Sequence, residues 1–269
     1  MVKVLVVGAA GRMGRTIVSC LNDTAGTAIG GATEAAGNPL IGKDIGEIVG
    51  IGTKNVPVSG NMEAVLPSCD AVIDFSSPES TMETLRLAAR LSKAVVVGTT
   101  GFSPEQKEEI NNLCRKIRCV MAPNMSIGVN VLFKVVYDMA KTLGDAYDVE
   151  IVEAHHKFKK DAPSGTAVRI SEIIADSLGR NLDEVGVYGR KGITQGRSQK
   201  EIGIHTVRAG DIVGDHRVLF GGMGETLEIS HRAQSRETFA RGSIRAAQWV
   251  VNQPPGLYDM QDVLGLRDK

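Results

Sequence analysis

The sequence predicts an α/β protein: a Rossmann-type doubly wound parallel sheet plus a second α+β domain with an open mixed sheet. Three observations carry this reading. Val2 to Val7 is apolar and mostly β-branched apart from Lys3, the pattern of a strand buried on both faces. Gly8-Ala9-Ala10-Gly11 follows directly, and Met13, Ile17 and Leu21 then recur every four residues along a helix. Between Ala71 and Ala122, short apolar runs alternate with helical segments of about 12 residues, the rhythm of βαβ units.

The elements follow in order. A helix is expected over Arg12 to Leu21 and a strand over Ala28 to Thr33. The Gly-rich stretch from Ala35 to Gly60 reads as a long loop with partial structure. Ala71 to Phe75 is a strand and Pro78 to Leu91 a helix with Pro in its first turn. Ala94 to Val97 is a strand. Ser103 to Ile117 is a helix, with Ser103 as N-cap, Pro104 at the first position and Gln106 completing a capping box. Cys119 to Ala122 is the next strand. The pattern changes near Pro123, which divides the chain into two domains. Beyond it a helix is expected over Val129 to Thr142, a strand over Val149 to Ala154 and a helix over Ser164 to Leu178. Ile204 to Val207, Ile212 to Phe220 and Thr226 to Ser230 read as an antiparallel meander. Arg236 to Val251 is a closing helix.

Composition excludes several classes. Lys plus Arg and Asp plus Glu are both 31, so the net charge is zero and the basic excess of a nucleic-acid binder is absent. No stretch reaches the roughly 18 apolar residues of a membrane span. The N-terminal apolar run is shorter than that of a signal peptide and enters a Gly-rich turn, so a cytoplasmic protein is expected. Cys20, Cys69, Cys114 and Cys119 form no CxxC pair and fall in expected core segments, which reads as buried free thiols. No metal site is expected.

Three motifs carry chemistry. Gly8-Ala9-Ala10-Gly11-Arg12-Met13-Gly14 joins the first strand to the first helix. Its glycines allow close approach to a pyrophosphate, and the helix N-terminus offers free N–H groups. Glu34 lies 20 residues after Gly14, where a carboxylate accepts hydrogen bonds from an adenosine ribose. That charge repels a 2′-phosphate and favours NADH, while Arg12 could pair with the phosphate of NADPH. Gly98-Thr99-Thr100-Gly101 follows a parallel strand and could line a nicotinamide pocket, although a plain strand-to-helix turn reads the same. Ala122-Pro123-Asn124-Met125 occupies the equivalent place after the next strand.

The densest motif runs from Glu153-Ala154-His155-His156 through Lys159 to Pro163-Ser164-Gly165-Thr166. Adjacent residues at a strand end point to opposite sides, so the two imidazoles are not ligands of one metal. One can move a proton while the other orients a substrate. Lys159 can donate a proton or pair with a carboxylate. Ser164, Gly165 and Thr166 open a helix that suits an anion. His205, His216 and His231 read as structural. The basic loop of Arg190, Lys191, Arg197 and Lys200 reads as solvated, or as an attractor of an anionic substrate.

These residues resemble the dihydrodipicolinate reductase family of bacterial lysine biosynthesis. The segment from Glu153 to Thr166, VGAAGRMG at the start, GTTGF at Gly98 and RAGDIVGDH at Arg208 carry the resemblance, which spans essentially the whole chain. It implies a discontinuous dinucleotide-binding domain of residues 1–126 and 241–269. Residues 127–240 would then bind substrate and assemble a homotetramer through their sheet. It implies NADH or NADPH on Gly8, Ala9, Ala10, Gly11, Arg12, Met13, Glu34, Gly98, Thr99, Thr100, Ala122, Pro123, Asn124 and Met125. A cyclic dicarboxylate is implied on His156, Lys159, Gly165 and Thr166, with His155 and Lys159 as proton donors. The implied reaction is reduction of an unsaturated ring in the diaminopimelate–lysine pathway. Ala35 stands where many members carry Arg, which weakens the case for NADPH. Met125 stands where many carry Phe, which removes a ring from that point. A Cys-dependent semialdehyde dehydrogenase and a nucleotide-sensing regulator are the rival readings. Neither accounts for the cluster around His155.

Overall fold

A computed structural model describes residues 1–267. The elements run β1 (Val2–Val7), α1 (Arg12–Asn22), β2 (Thr27–Thr33), α2 (Ile45–Val49), β3 (Val58–Ser59), α3 (Met62–Val65), β4 (Ala71–Asp74), α4 (Pro78–Leu91) and β5 (Ala94–Val97). They continue with α5 (Pro104–Leu113), β6 (Arg118–Met121), α6 (Ile127–Leu143), β7 (Asp148–His155), α7 (Gly165–Ser177), α8 (Leu182–Val185), β8 (Gly186–Tyr188) and β9 (Ile202–Arg208). The chain closes with β10 (Gly214–Gly221), β11 (Thr226–Ala233), α9 (Glu237–Val250), β12 (Gly256–Tyr258) and α10 (Met260–Leu264).

The chain forms two compact units, Met1–Ile127 together with the chain from Arg236, and Gly128–Ser235. The second crossing falls at Ser235/Arg236, five residues before the expected 240/241. The whole of α9 belongs to the first unit because Ala240, Ile244, Ala247 and Val250 along it are buried in that unit's core.

The first unit holds a seven-stranded sheet in the order β12-β6-β5-β4-β1-β2-β3, parallel at every pairing. Residues of β1 alternate between two cores. Val4 and Val6 pack with Ile17, Leu21 and Ile244 on one face, and Leu5 and Val7 with Met82, Leu85 and Ile110 on the other. Both faces are covered, so the strand is apolar without interruption from Val4 onward. Burying each such side chain contributes about 1.5–3 kcal/mol. The capping box at α5 forms as expected: Ser103 Oγ accepts from Gln106 N at 3.2 Å and Gln106 Oε1 from Ser103 N at 2.9 Å. The helix stops at Leu113, short of the expected Ile117, with Cys114 as its C-cap. The short edge strand β12 carried no sequence signal and pairs with β6. All four cysteines are buried and free.

The second unit holds a five-stranded mixed sheet in the order β11-β10-β7-β9-β8. The expected meander does not form as such. Only β10 and β11 make an antiparallel hairpin, while β9 runs parallel to β7, which lies between β9 and β10. The reason is burial. Val149 and Ile151 of β7, like Ile202, Ile204, Val218 and Phe220 of its neighbours, are wholly or almost wholly buried with residues of α6 and α7. β7 therefore lies between β9 and β10, and all three turn their apolar residues to the same covered face.

Candidate active site

The glycine turn lies where the strand order of the first sheet reverses, between β4 and β2, which is where open α/β sheets bind ligands. Gly8 has φ of 64°, the left-handed region that favours glycine. A Cβ on Gly14 would stand 2.1 Å from Gly8 O, so α1 can close on the turn only with glycine at that position. Gly11 N donates to Gly8 O at 3.0 Å, and Gly11 caps α1 without any side-chain hydrogen bond. Ala9 is fully buried. Glu34 Oε1 accepts from Ala10 N at 2.7 Å, and its other oxygen from Asn38 Nδ2 at 3.2 Å. The acidic residue thus reaches the turn. Arg12 is exposed and Met13 half-buried. A turn without side chains and an uncapped helix N-terminus beside a carboxylate fit a dinucleotide.

The other nucleotide-site candidates are placed unevenly. Gly98 lies against Phe75, whose ring would be 2.1 Å from an added Cβ. Thr99 is 7% exposed and its hydroxyl accepts from Thr81 Oγ1 at 2.8 Å, so that side chain faces α4 rather than lining a pocket. Thr100 is exposed. Asn124 Oδ1 accepts from Ser126 N at 2.9 Å. Ala122 and Met125 are buried and Pro123 exposed. The Met125 side chain is part of the core and presents no stacking face.

In the second unit, the alternation of β7 puts Glu153 and His155 on the buried face with Val149 and Ile151. His155 Nδ1 is 2.5 Å from Glu153 Oε2. Arg208, at the end of β9, donates to both Glu153 oxygens at 2.8 Å. Ser164 N donates to Glu153 Oε1 at 3.0 Å. His216, in β10, packs edge-on to His155 with centroids 5.2 Å apart, and its Nε2 lies 3.0 Å from Ser164 Oγ. His156 points away from this face, and its Nδ1 is buried with no hydrogen-bond partner among the described residues. Lys159 Nζ pairs with Asp161 at 2.9 Å. Gly165 is exposed at the start of α7, with nothing within 4 Å of an added Cβ, and Thr166 is half-buried in the same turn.

Four sequence readings need correction here. Ser164, read as part of an open anion site, is 2% exposed; its hydroxyl caps Ala167 N at 3.2 Å and its N–H serves Glu153, so both groups are already engaged within the unit. His216 belongs to the His155 cluster rather than to the sheet scaffold alone. Glu153 and Arg208, which motif reasoning did not assign, are central; the i, i+2 spacing of Glu153 and His155 on a strand was the available signal. Lys191 and Lys200 are exposed, as a solvated loop requires, but Arg190 and Arg197 are not free for substrate. They pair with Glu150, Glu201 and Asp148, and His205 joins Glu150 at 2.7 Å.

Electrostatics separate the ionisable groups. Burial opposes the charge on Glu153, but hydrogen bonds from Arg208, His155 and Ser164 hold its carboxyl at about 2. Burial pushes His155 below its ordinary value against the pull of Glu153. Burial, with His155 nearby, takes His216 down to about 3. The unfolded chain therefore binds a proton at His216 near pH 6.5, and the folded one only near 3. Between those values stability falls as pH falls, by roughly 1.4 kcal/mol per pH unit from this residue. Urea midpoints measured from pH 6 to pH 4 should show that slope, and His216→Gln should flatten it. A wild-type midpoint that does not change with pH in this range would exclude a neutral buried His216.

A Rossmann-ordered sheet with this turn, and a second unit carrying paired imidazoles, a lysine and a helix N-terminus, define a nucleotide-dependent oxidoreductase. Comparison with known proteins is specific. Residues 2–125 match the family described as dihydrodipicolinate reductase, N-terminus, and residues 128–264 its C-terminus. The chain belongs to the dihydrodipicolinate reductase family. It is 55% identical over 267 residues to the 4-hydroxy-tetrahydrodipicolinate reductase of Geobacter metallireducens, covering 99% of this chain and all of that one. The enzyme of the same name from Geotalea daltonii is 54% identical over the same length and with the same coverage. A solved dipicolinate-bound dihydrodipicolinate reductase from Paenisporosarcina sp. TG-14 superposes with a TM-score of 0.74 at 27% identity, covering 97% of this chain and 98% of that one. An amine dehydrogenase from Mycobacterium smegmatis shares the fold alone, at 18% identity and a TM-score of 0.59, with 100% and 97% of the two chains covered.

Proposed function

We propose that the chain reduces 4-hydroxy-tetrahydrodipicolinate, or its dehydrated form dihydrodipicolinate, to tetrahydrodipicolinate, in the diaminopimelate route to lysine. The observation that carries this is the cluster at the end of β7: a carboxylate-held imidazole, a second imidazole with an orphaned buried nitrogen, and a lysine, at the N-terminus of α7. That set suits a small ring bearing carboxylates and in need of a proton. A bound nicotinamide dinucleotide supplies a hydride. Gly8, Ala10, Gly11, Arg12 and Met13 would hold its pyrophosphate and Glu34 its ribose; Gly98, Thr100 and the backbone of Ala122 to Asn124 are the candidates near its nicotinamide. His156, Lys159, Gly165 and Thr166 bind the ring carboxylates. His155, when protonated, and Lys159 donate the proton that completes reduction of the enamine left by hydride addition. Burial of His155 keeps competing water from its ring.

Both NADH and NADPH are accepted, with NADH favoured, because the Glu34 carboxylate already stands at the turn and repels a 2′-phosphate. Residues 127–240 also assemble a homotetramer. The helices α6 and α7 cover one face of the five-stranded sheet, while on the other Val152, Ala154 and Leu219 are half-buried and Val207 is 43% exposed. No helix of the described residues is long and apolar enough to cross a membrane.

The test is oxidation of NADH followed at 340 nm in the presence of freshly made product of dihydrodipicolinate synthase. Substrate-dependent oxidation is expected, with kcat/KM for NADH above that for NADPH. No oxidation with either nucleotide would end the reading, and a strong NADPH preference would end the role given to Glu34.

A further inference from the structure

We infer that Glu153, clamped by Arg208, is a positioning residue that fixes the proton of His155 on Nδ1 and leaves Nε2 as the atom that exchanges a proton with substrate. The inference rests on the reading of His155 as the proton donor, and it assigns work to two residues that the site motifs leave aside.

The geometry leaves little choice of tautomer. An ionised carboxylate accepts and cannot donate. Glu153 is fully buried and receives His155 Nδ1, both terminal nitrogens of Arg208, Ser164 N and Thr206 Oγ1. Every one of those partners must bring the hydrogen, so His155 Nδ1 carries one. In the neutral ring, Nε2 is then the lone pair; in the charged ring, Nε2–H is the acid. The same carboxylate stabilises the imidazolium and prevents the ring from turning.

Two further features agree. The register of β7 with β9 sets His155 opposite Arg208, so one strand pairing delivers both the clamp and the imidazole. Arg208 also donates to Asp161 O, which ties the loop carrying Lys159 to the same carboxylate. On the other edge of the ring, a Cβ on Gly214 would stand 3.0 Å from His155 Nε2. Gly214 has no positive φ, and its missing side chain lets β10 pass close to the ring where a Cβ would crowd Nε2. The charged and titratable groups facing His155 are Glu153 on its own strand, Lys159 in the loop, Arg208 on β9 and His216 on β10, with Asp161 acting on Lys159 and Arg208 and His231 of β11 acting on His216.

A purely structural Glu153–Arg208 pair would need no imidazole, so the test reads the imidazole itself. Nitrogen-15 shifts of His155 in the free enzyme, assigned by comparison with His155→Gln, should show the Nδ1–H form wherever the ring is neutral. An Nε2–H form in the wild type would overturn the inference without any variant at Glu153. In Glu153→Gln the neutral ring should gain Nε2–H and titrate at lower pH. The kcat should fall about 10²-fold with KM for the dicarboxylate and NADH affinity within about twofold, and the limb of the pH–kcat profile should move with the ring. Arg208→Lys, which keeps the carboxylate charged but loosens it, should lower kcat less and keep Nδ1–H. A Glu153→Gln enzyme with unchanged tautomer and kcat within twofold of wild type would overturn the inference. If Glu153→Gln does not fold, the wild-type spectrum and Arg208→Lys decide. A wild type with the Nδ1–H form but no NADH oxidation would instead count against the reductase reading.

Discussion

His155→Gln and Lys159→Ala are each expected to lower kcat by about 10² to 10⁴, the range that a positioned proton donor contributes, while the protein stays folded. Glutamine keeps an N–H able to donate to Glu153, so the buried carboxylate retains a partner and the expected loss is chemical rather than structural. Among the described residues Lys159 pairs only with Asp161, which is exposed, so its removal strands no buried charge. The two variants should differ in one respect. Lys159 is also proposed to hold a ring carboxylate, so Lys159→Ala should raise KM for the dicarboxylate as well, whereas His155→Gln should act mainly on kcat. Steady-state kinetics beside thermal unfolding and an NADH fluorescence titration separate these effects. A kcat within threefold of wild type in both variants would remove both residues from the mechanism.

The second large effect is expected at Gly14→Ala. Its Cβ would stand 2.1 Å from Gly8 O and 2.6 and 2.8 Å from the Cα and C of Ala9. All three are backbone atoms, so no rotamer relieves the clash. The start of α1 must move off the turn, and its free N–H groups then lose their aim at the pyrophosphate. NADH affinity should fall at least about tenfold, with stability lower by about 1–3 kcal/mol, the usual cost of overpacking. Gly196→Ala is the control, since nothing lies within 4 Å of its Cβ and its φ is not positive. Equal NADH dissociation constants for wild type and Gly14→Ala would show that the turn does not hold the nucleotide.

Much of the site was legible because its signals are local. Glu34 was placed by a spacing, and its carboxylate does reach Ala10 N. The pairing of His155 with Glu153 was within reach of strand alternation, but the sequence reading gave Glu153 no role. The role of His216 was not legible, since 52 residues separate it from Ser164 and only the pairing of β10 with β7 brings them together. The ion pairs of Arg190 and Arg197 were missed for a similar reason. Arg190 meets Glu150 across 40 residues, and neither strand pattern nor charge count announces that partner.

Read alone, the sequence determined the alternation of strands and helices around the glycine turn, the cap of α5, and the chemistry gathered between Glu153 and Thr166. Those features arise from hydrogen bonds and side-chain periodicity within a few residues, which the order of amino acids records directly. The placing of β7 between β9 and β10, the edge strand β12 and the clamp of Arg208 on Glu153 were decided by the tertiary structure. They depend on which distant segments share a buried face, and a buried carboxylate takes its partners from whichever strand that packing sets beside it.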